Sequence, residues 1–315
     1  MFLFSSKVSL CRVSVAIAHY FGETSKDVGY GSTRVGAGLA RQVALSRCLG
    51  SVLGLGRQPN DVILNPAERV IEVAPPRQDT TTQLAAVAID LHLFVTGDAY
   101  LKEICDYFSP RITLHHLDLE DPRMLPLAAA RWLCREQEAE ADLHLYFEDD
   151  LIIHDPRFVD KQVWFTDCTQ HQFVLMPHRM EPSVADAPMQ LCVDGPVKPI
   201  GQDEPVRVDH EQQIARGTYW DGRSVGFALA SNPHSGSFCL SERQRQHLIA
   251  KNAEPNTFVG PLETAATGTV WQHFPIWKPM WPDRDFLYVE HGHPSFLGRL
   301  ATLPLRQGPN ESEES

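Results

Sequence analysis

The first half of the chain alternates apolar strand-like runs with segments of helical period, and this alternation leaves few folds open. Residues 13–18 (VSVAIA) are β-branched and almost wholly apolar, as in a strand buried on both faces of a parallel sheet. A glycine-rich loop, 29–38, follows, and a helix over 39–53 sets Leu39, Val43, Leu49 and Leu53 on or near one face. Residues 69–74 read as a second strand, 91–96 as a third, 100–107 as a short helix and 111–116 as a further strand. Over 125–138 the side chains of Leu125, Ala128, Ala129, Trp132 and Leu133 form one helical apolar stripe, and 143–147 (LHLYF) is the strand after it. Strand–helix–strand repetition of this kind predicts an α/β fold with a mostly parallel, doubly wound sheet. Such sheets bind ligands at the carboxyl ends of their strands.

The second half is less regular. Asp155-Pro156 has the character of a helix start, with Asp as N-cap and Pro at the first helical position. Residues 172–176 read as a strand, 182–205 as a proline-rich surface excursion and 237–240 as a short strand. Ser241 and Gln244 have the spacing of a capping box that opens a helix to about Ala250. A short helix after Gly260-Pro261 and a strand over 286–289 complete the pattern, and the acidic, polar residues 308–315 read as a disordered tail.

Charge and cysteine usage narrow the function. The formal net charge of −12 opposes a nucleic-acid partner, which selects a basic face. Seven scattered cysteines without a C-x-x-C pair fit reduced thiols in the cytoplasm rather than a disulfide frame or zinc site. The apolar runs fall short of the roughly 20 residues that cross a bilayer as a helix. The N-terminal Met1-Phe2-Leu3-Phe4 is cut off by Ser5-Ser6-Lys7, and no apolar run precedes the lipoprotein-like Leu10-Cys11.

One motif carries chemistry. The strand 143–147 runs directly into Glu148-Asp149-Asp150, and apolar Leu151-Ile152-Ile153 follow. Three carboxylates beside a buried strand end repel one another and require a cation. Mg²⁺ or Mn²⁺ would suit, because hard ions bind through one or two carboxylates plus substrate phosphate. A strand ending in an acidic triplet halfway along a βαβ-rich chain resembles the D-x-D site of GT-A glycosyltransferases, the nucleotide-diphospho-sugar transferases. The resemblance implies one catalytic domain over 12–300, with 12–150 binding nucleotide, 151–300 binding acceptor, and flexible ends at 1–11 and 301–315.

Carried over residue by residue, it makes Asp150 the metal ligand and gives Glu148 and Asp149 contacts to the nucleotide or to metal-bound water. His19 and Tyr20, after the first strand, occupy the place of nucleotide-contacting residues. His291, favoured over His293, supplies a further metal or diphosphate ligand after the core. Glu263, a poorly solvated carboxylate opening a short helix, stands where inverting members carry the base. Gly236-Ser237-Phe238-Cys239 resembles the small-residue segment beneath sugar and acceptor. Arg41 and Arg47 read as partners of phosphate or, more simply, of surface carboxylates, and Lys278 and Arg284 as cations for a diphosphate. The implied partners are a sugar-nucleotide donor, UDP-linked by resemblance, and a glycan or other hydroxyl acceptor, including one at a membrane surface.

Two rivals share the fold class. A sugar-nucleotide pyrophosphorylase would use a G-x-G-x-R segment followed by P-K; Gly29–Arg34 begins that pattern, but no P-K follows. A carbohydrate-binding protein without activity is the other. A glycosidase is the poorer reading, because adjacent carboxylates on an extended chain point to opposite faces and cannot serve as the facing pair.

Overall fold

The computed structural model describes residues 10–22, 35–75, 84–137, 139–182, 190–194, 214–229, 232–254, 260–293 and 296–297. The Gly29–Arg34 segment, most of the 182–205 excursion and the 308–315 tail lie outside the described residues.

In chain order, β1 (Leu10–Ala18) leads to α1 (Gly38–Leu53), then to a hairpin of β2 (Val62–Asn65) and β3 (Val70–Val73). Next come β4 (Ala86–Thr96), α2 (Lys102–Phe108), β5 (Thr113–Leu117), α3 (Leu125–Arg131) and β6 (Leu143–Glu148). Beyond the acidic triplet lie β7 (Leu151–Ile152), α4 (Phe158–Cys168), β8 (Val174–Leu175), β9 (His178–Pro182) and β10 (Gln190–Cys192). The remaining elements are β11 (Ile214–Thr218), β12 (Ser224–Leu229), β13 (Ser237–Ser241), α5 (Glu242–Ala250), α6 (Pro261–Glu263), β14 (Ile276–Pro279) and β15 (Tyr288–His291).

The main sheet has five strands in the order β13-β6-β1-β4-β5. Strands β6, β1, β4 and β5 are parallel, and β13 is an antiparallel edge. Both faces are covered, which is why β1 reads as continuously apolar. Val13, Val15 and Ile17 join one buried cluster with Leu45, Leu49 and Val52 of α1. Ala16 joins a second with Leu125, Ala129 and Ala130 of α3. An α/β architecture with a central, mostly parallel sheet is therefore present.

Several local readings change. The run 69–74 is no strand of the main sheet: β3 pairs with β2 alone, and Arg69 turns with φ +56 at the head of that hairpin. The stripe 125–138 makes an α-helix only to Arg131 and continues as a π-helical turn over Trp132–Glu136. Asp155 accepts from Arg157 N at 2.9 Å, so it caps a turn, and α4 begins at Phe158. The capping box holds: Ser241 Oγ accepts from Gln244 N at 3.3 Å and Gln244 Oε1 accepts from Ser241 N at 2.9 Å.

Two small sheets follow the triplet. One has the order β10-β9-β15-β7, the other β11-β12-β14-β8. The first matters for chemistry, because β7 starts immediately after Asp150.

Candidate active site at the strand ends

Strand register assembles the site. In the parallel β1–β6 pair, Ala18 lies opposite Glu148, so the next residues, His19 and Asp149, leave the sheet side by side. His19 Nε2 accepts from Leu101 N at 3.0 Å, which places the ring proton on Nδ1. That proton is donated to Asp149 Oδ2 at 2.6 Å. On the other side, β7 and β15 pair antiparallel with Leu151 opposite His291, while β15 and β9 run parallel with Glu290 opposite Met180. Glu181, one step on from Met180, therefore lies beside His291, and Asp150 is the residue before the Leu151 that faces His291. His291 Nδ1 bonds Glu181 Oε1 at 2.6 Å and its Nε2 faces Asp150 Oδ2 at 3.6 Å.

A cation does compensate the triplet, and it belongs to the protein. Arg41, in the first turn of α1 and only 4% exposed, donates to Asp149 Oδ2 at 2.6 Å and Asp150 Oδ2 at 3.3 Å. The expected surface pairing of Arg41 is thus wrong, because the helix that follows β1 starts over the strand ends and aims this side chain inward. Arg47, two turns on, does pair at the surface, with both oxygens of Glu290 at 2.6 and 2.8 Å.

The three carboxyls are not equivalent. Burial without a strong partner pushes Glu148 up to about 8, so at neutral pH it carries a proton. Among the described residues its Oε1 has no hydrogen-bond partner, and it lies 3.9 Å from His234 Nε2. Burial also opposes ionisation of Asp149, but the Arg41 charge and the His19 bond outweigh it and hold that carboxyl below the usual range. At His291 burial favours the neutral ring, yet the Glu181 bond and the Asp150 charge prevail and raise its pKa.

A second charged group adjoins the triplet. Asp194 bonds Arg179 Nε at 2.8 Å and Lys278 Nζ at 2.9 Å, and all three are buried. Burial resists charge on Asp194, but Lys278 and Arg179 hold its carboxyl down at about 2. Lys278 also donates to His234 O at 3.1 Å, which fixes the loop that faces Glu148. Arg284, by contrast, donates to Trp281 O at 3.0 Å and stacks on that indole.

Of the residues named from sequence, His19, Glu148, Asp149, Asp150 and His291 converge. Tyr20 is 40% exposed beside His19, and His293 is half-buried near Arg41 and Asp150. Glu263 folds back over Gly260 in the first turn of α6, and none of the ion pairs described above involves it. Thr267, one turn on, has its Oγ1 3.0 Å from His234 Nδ1. Arg179, Glu181, Asp194 and His234 had no local signal, since each acts through a partner distant in sequence.

Gly236 closes the floor of the site. Its O accepts from Glu148 N at 3.0 Å, its φ is +63, and an added Cβ would stand 2.6 Å from Glu148 Oε2 and 3.0 Å from Leu151 Cδ1. A left-handed backbone and this contact make Gly236→Ala destabilising by about 2 kcal/mol. Urea unfolding checks this; an unchanged midpoint would show that the carboxyl swings aside freely.

The donor set bears on a metal. Among the described residues no group of three or more His, Cys, Asp or Glu side chains is gathered to hold an ion. Asp150 and His291 nonetheless fit as a pair. A ligating histidine is commonly oriented by a carboxylate on its other nitrogen, as Glu181 orients His291. Mg²⁺ and Mn²⁺ sites of few protein ligands take the remainder from water and phosphate.

No protein-family model matches the chain, and no curated protein does. Among solved structures it is similar to the crystal structure of S. aureus TarS 1–349, at a TM-score of 0.36 and 10% identity. The match covers 87% of this chain and 62% of that one, so the chain spans less than two thirds of the neighbour's length. No helix among the described residues is long and apolar enough to cross a membrane.

Proposed function

We propose that the chain is a glycosyltransferase of GT-A type, transferring a sugar from a nucleotide diphosphate sugar, with UDP as the first base to test, to an acceptor hydroxyl. The observation that carries this reading is the row Asp150–His291–Glu181 at the carboxyl ends of a parallel sheet. An acidic triplet there is paired with an oriented histidine, next to His19 on the neighbouring strand.

In this reading Asp150 and His291 would hold a divalent ion. Such an ion supplies charge stabilisation to a leaving diphosphate. The chain's own residues do the rest. Arg41 keeps Asp149 ionised and orients both Asp149 and Asp150. His19 and Asp149 form a fixed hydrogen-bonded edge for the nucleotide. Glu263 takes the proton of the acceptor hydroxyl as it attacks, inverting the anomeric carbon. Glu263→Gln is expected to leave donor binding intact while slowing transfer about 10²-fold. Equal transfer rates would remove Glu263 from the chemistry and make a retaining mechanism the better account.

Arg41 also favours a second reading, a transferase that works without a metal, because the guanidinium already neutralises the aspartate pair. A thermal-shift screen of nucleoside diphosphates, each with Mn²⁺ and with EDTA, separates the two. Stabilisation by one nucleotide with Mn²⁺ alone is expected. Stabilisation that survives EDTA would select the metal-free reading, and none under either condition would overturn both.

A further inference from the structure

The side of the sheet covered by α3 holds a cavity that the proposed chemistry does not use. It opens between α3, α5 and the turns that follow α3 and α6, and measures about 530 Å³. Ligand pockets run from about 300 to 1,000 Å³. Its apolar wall is Leu127, Ala128, Cys134, Leu248 and Ala253, with the exposed Met124 beside them. Among the described residues none of its lining side chains is aromatic.

Two π-helical turns contribute to this one cavity. Over Trp132–Glu136 the turn closes with Gln137 N donating to Trp132 O at 2.9 Å, and it supplies Cys134 and Arg135. Over Thr264–Gly268 the turn closes with Thr269 N donating to Thr264 O, and both threonines line the space. Such turns are rare and fall mostly at functional sites. Their pairing here points to use of the cavity independently of its size.

Charge selects the occupant. Three arginines and two carboxylates line the cavity. Asp121 accepts from Arg123 Nε at 3.0 Å and from its Nη2 at 2.8 Å, and Glu254 pairs with Arg135. Arg131 has only looser pairs, 3.5 Å to Glu136 and 4.0 Å to the Glu254 oxygen that Arg135 already holds. At 59% exposure its guanidinium is open to a ligand.

We propose that this cavity binds an amphipathic anion, with an aliphatic chain along the Leu127–Leu248 wall and an anionic head on Arg131. An alkyl chain there displaces water that an apolar surface holds poorly. In a chain of charge −12 an anionic head needs a local cation, and Arg131 supplies it. A nucleobase fits less well, since no ring is present to stack on it. An organic cation fits less well, because both carboxylates are already paired. The inference does not rest on the proposed transfer reaction, since no lining residue named here belongs to the contacts of the triplet.

Isothermal titration of the full chain with decanoate and with decyl phosphate, below their micelle concentrations, tests it. Saturable one-to-one binding of at least one anion is expected, and decyltrimethylammonium should bind at least about tenfold more weakly. Preference for one of the two anions identifies the head as carboxylate or phosphate. Arg131→Glu should weaken anion binding by about tenfold or more. Ala128→Phe, which fills the cavity, should do the same, whereas Arg111→Gln, outside it, should change nothing. Circular dichroism melting confirms folding, and Arg131→Gln and Ala128→Leu serve as milder variants if the first pair melts early. Full-strength binding in either folded cavity variant overturns the proposal. Equal affinity for the anions and the ammonium does so too, as does a parent that binds neither anion.

Discussion

Asp150→Ala is expected to erase the Mn²⁺-dependent stabilisation by a nucleoside diphosphate and to slow sugar transfer about 10³-fold. Asp150 is the triplet carboxylate that His291 Nε2 faces, at 3.6 Å, and no other residue of the triplet shares that position. Glu181→Gln should have a smaller effect on the same axis, a loss of about 10- to 100-fold in metal affinity, because it frees the histidine ring without removing a ligand. Isothermal titration with Mn²⁺ and nucleotide, beside a radiolabelled transfer assay, reads both. An Asp150→Ala protein that keeps the metal-dependent shift would place the ion elsewhere.

Removing Arg41 should cost the fold about 3 kcal/mol. The guanidinium is almost wholly buried and touches two carboxylates at once, so Arg41→Ala leaves Asp149 and Asp150 adjacent and uncompensated at the strand ends. His19 cannot replace it: its Nε2 is committed to Leu101 N, and its one proton already serves Asp149. Urea unfolding in EDTA measures the loss, and millimolar Mn²⁺ should restore part of it if an ion binds Asp150. A change within about 0.5 kcal/mol would show that the aspartates need no internal cation. Arg41→Lys should fall between, because an ammonium is a point charge and cannot span both carboxylates as a planar fork does.

Legibility differed by element for physical reasons. The strand 13–18 and the helix 39–53 were readable because both faces of the sheet are covered, so burial wrote itself into the local pattern. The Ser241–Gln244 capping box was readable because both of its bonds close within one turn. The run 69–74 has the composition of a buried strand, yet its apolar side chains stand in the open; whether such a run joins a sheet is decided by its neighbours, not by its residues. Lys278 looked like a cation for a ligand and is instead locked between Asp194 and His234 O.

Sequence alone therefore determined the parallel sheet, the position of the acidic triplet at a strand end, and the candidacy of His19 and His291. Periodicities of two and 3.6 residues act locally and survive in one dimension. Tertiary structure alone decided which cation answers the triplet, which nitrogen of His291 is free, and which carboxyl is protonated. Those outcomes join residues 108 to 110 positions apart, as in Arg41 with Asp149 and His291 with Glu181, and depend on strand register and burial. Neither quantity exists until the strands lie side by side.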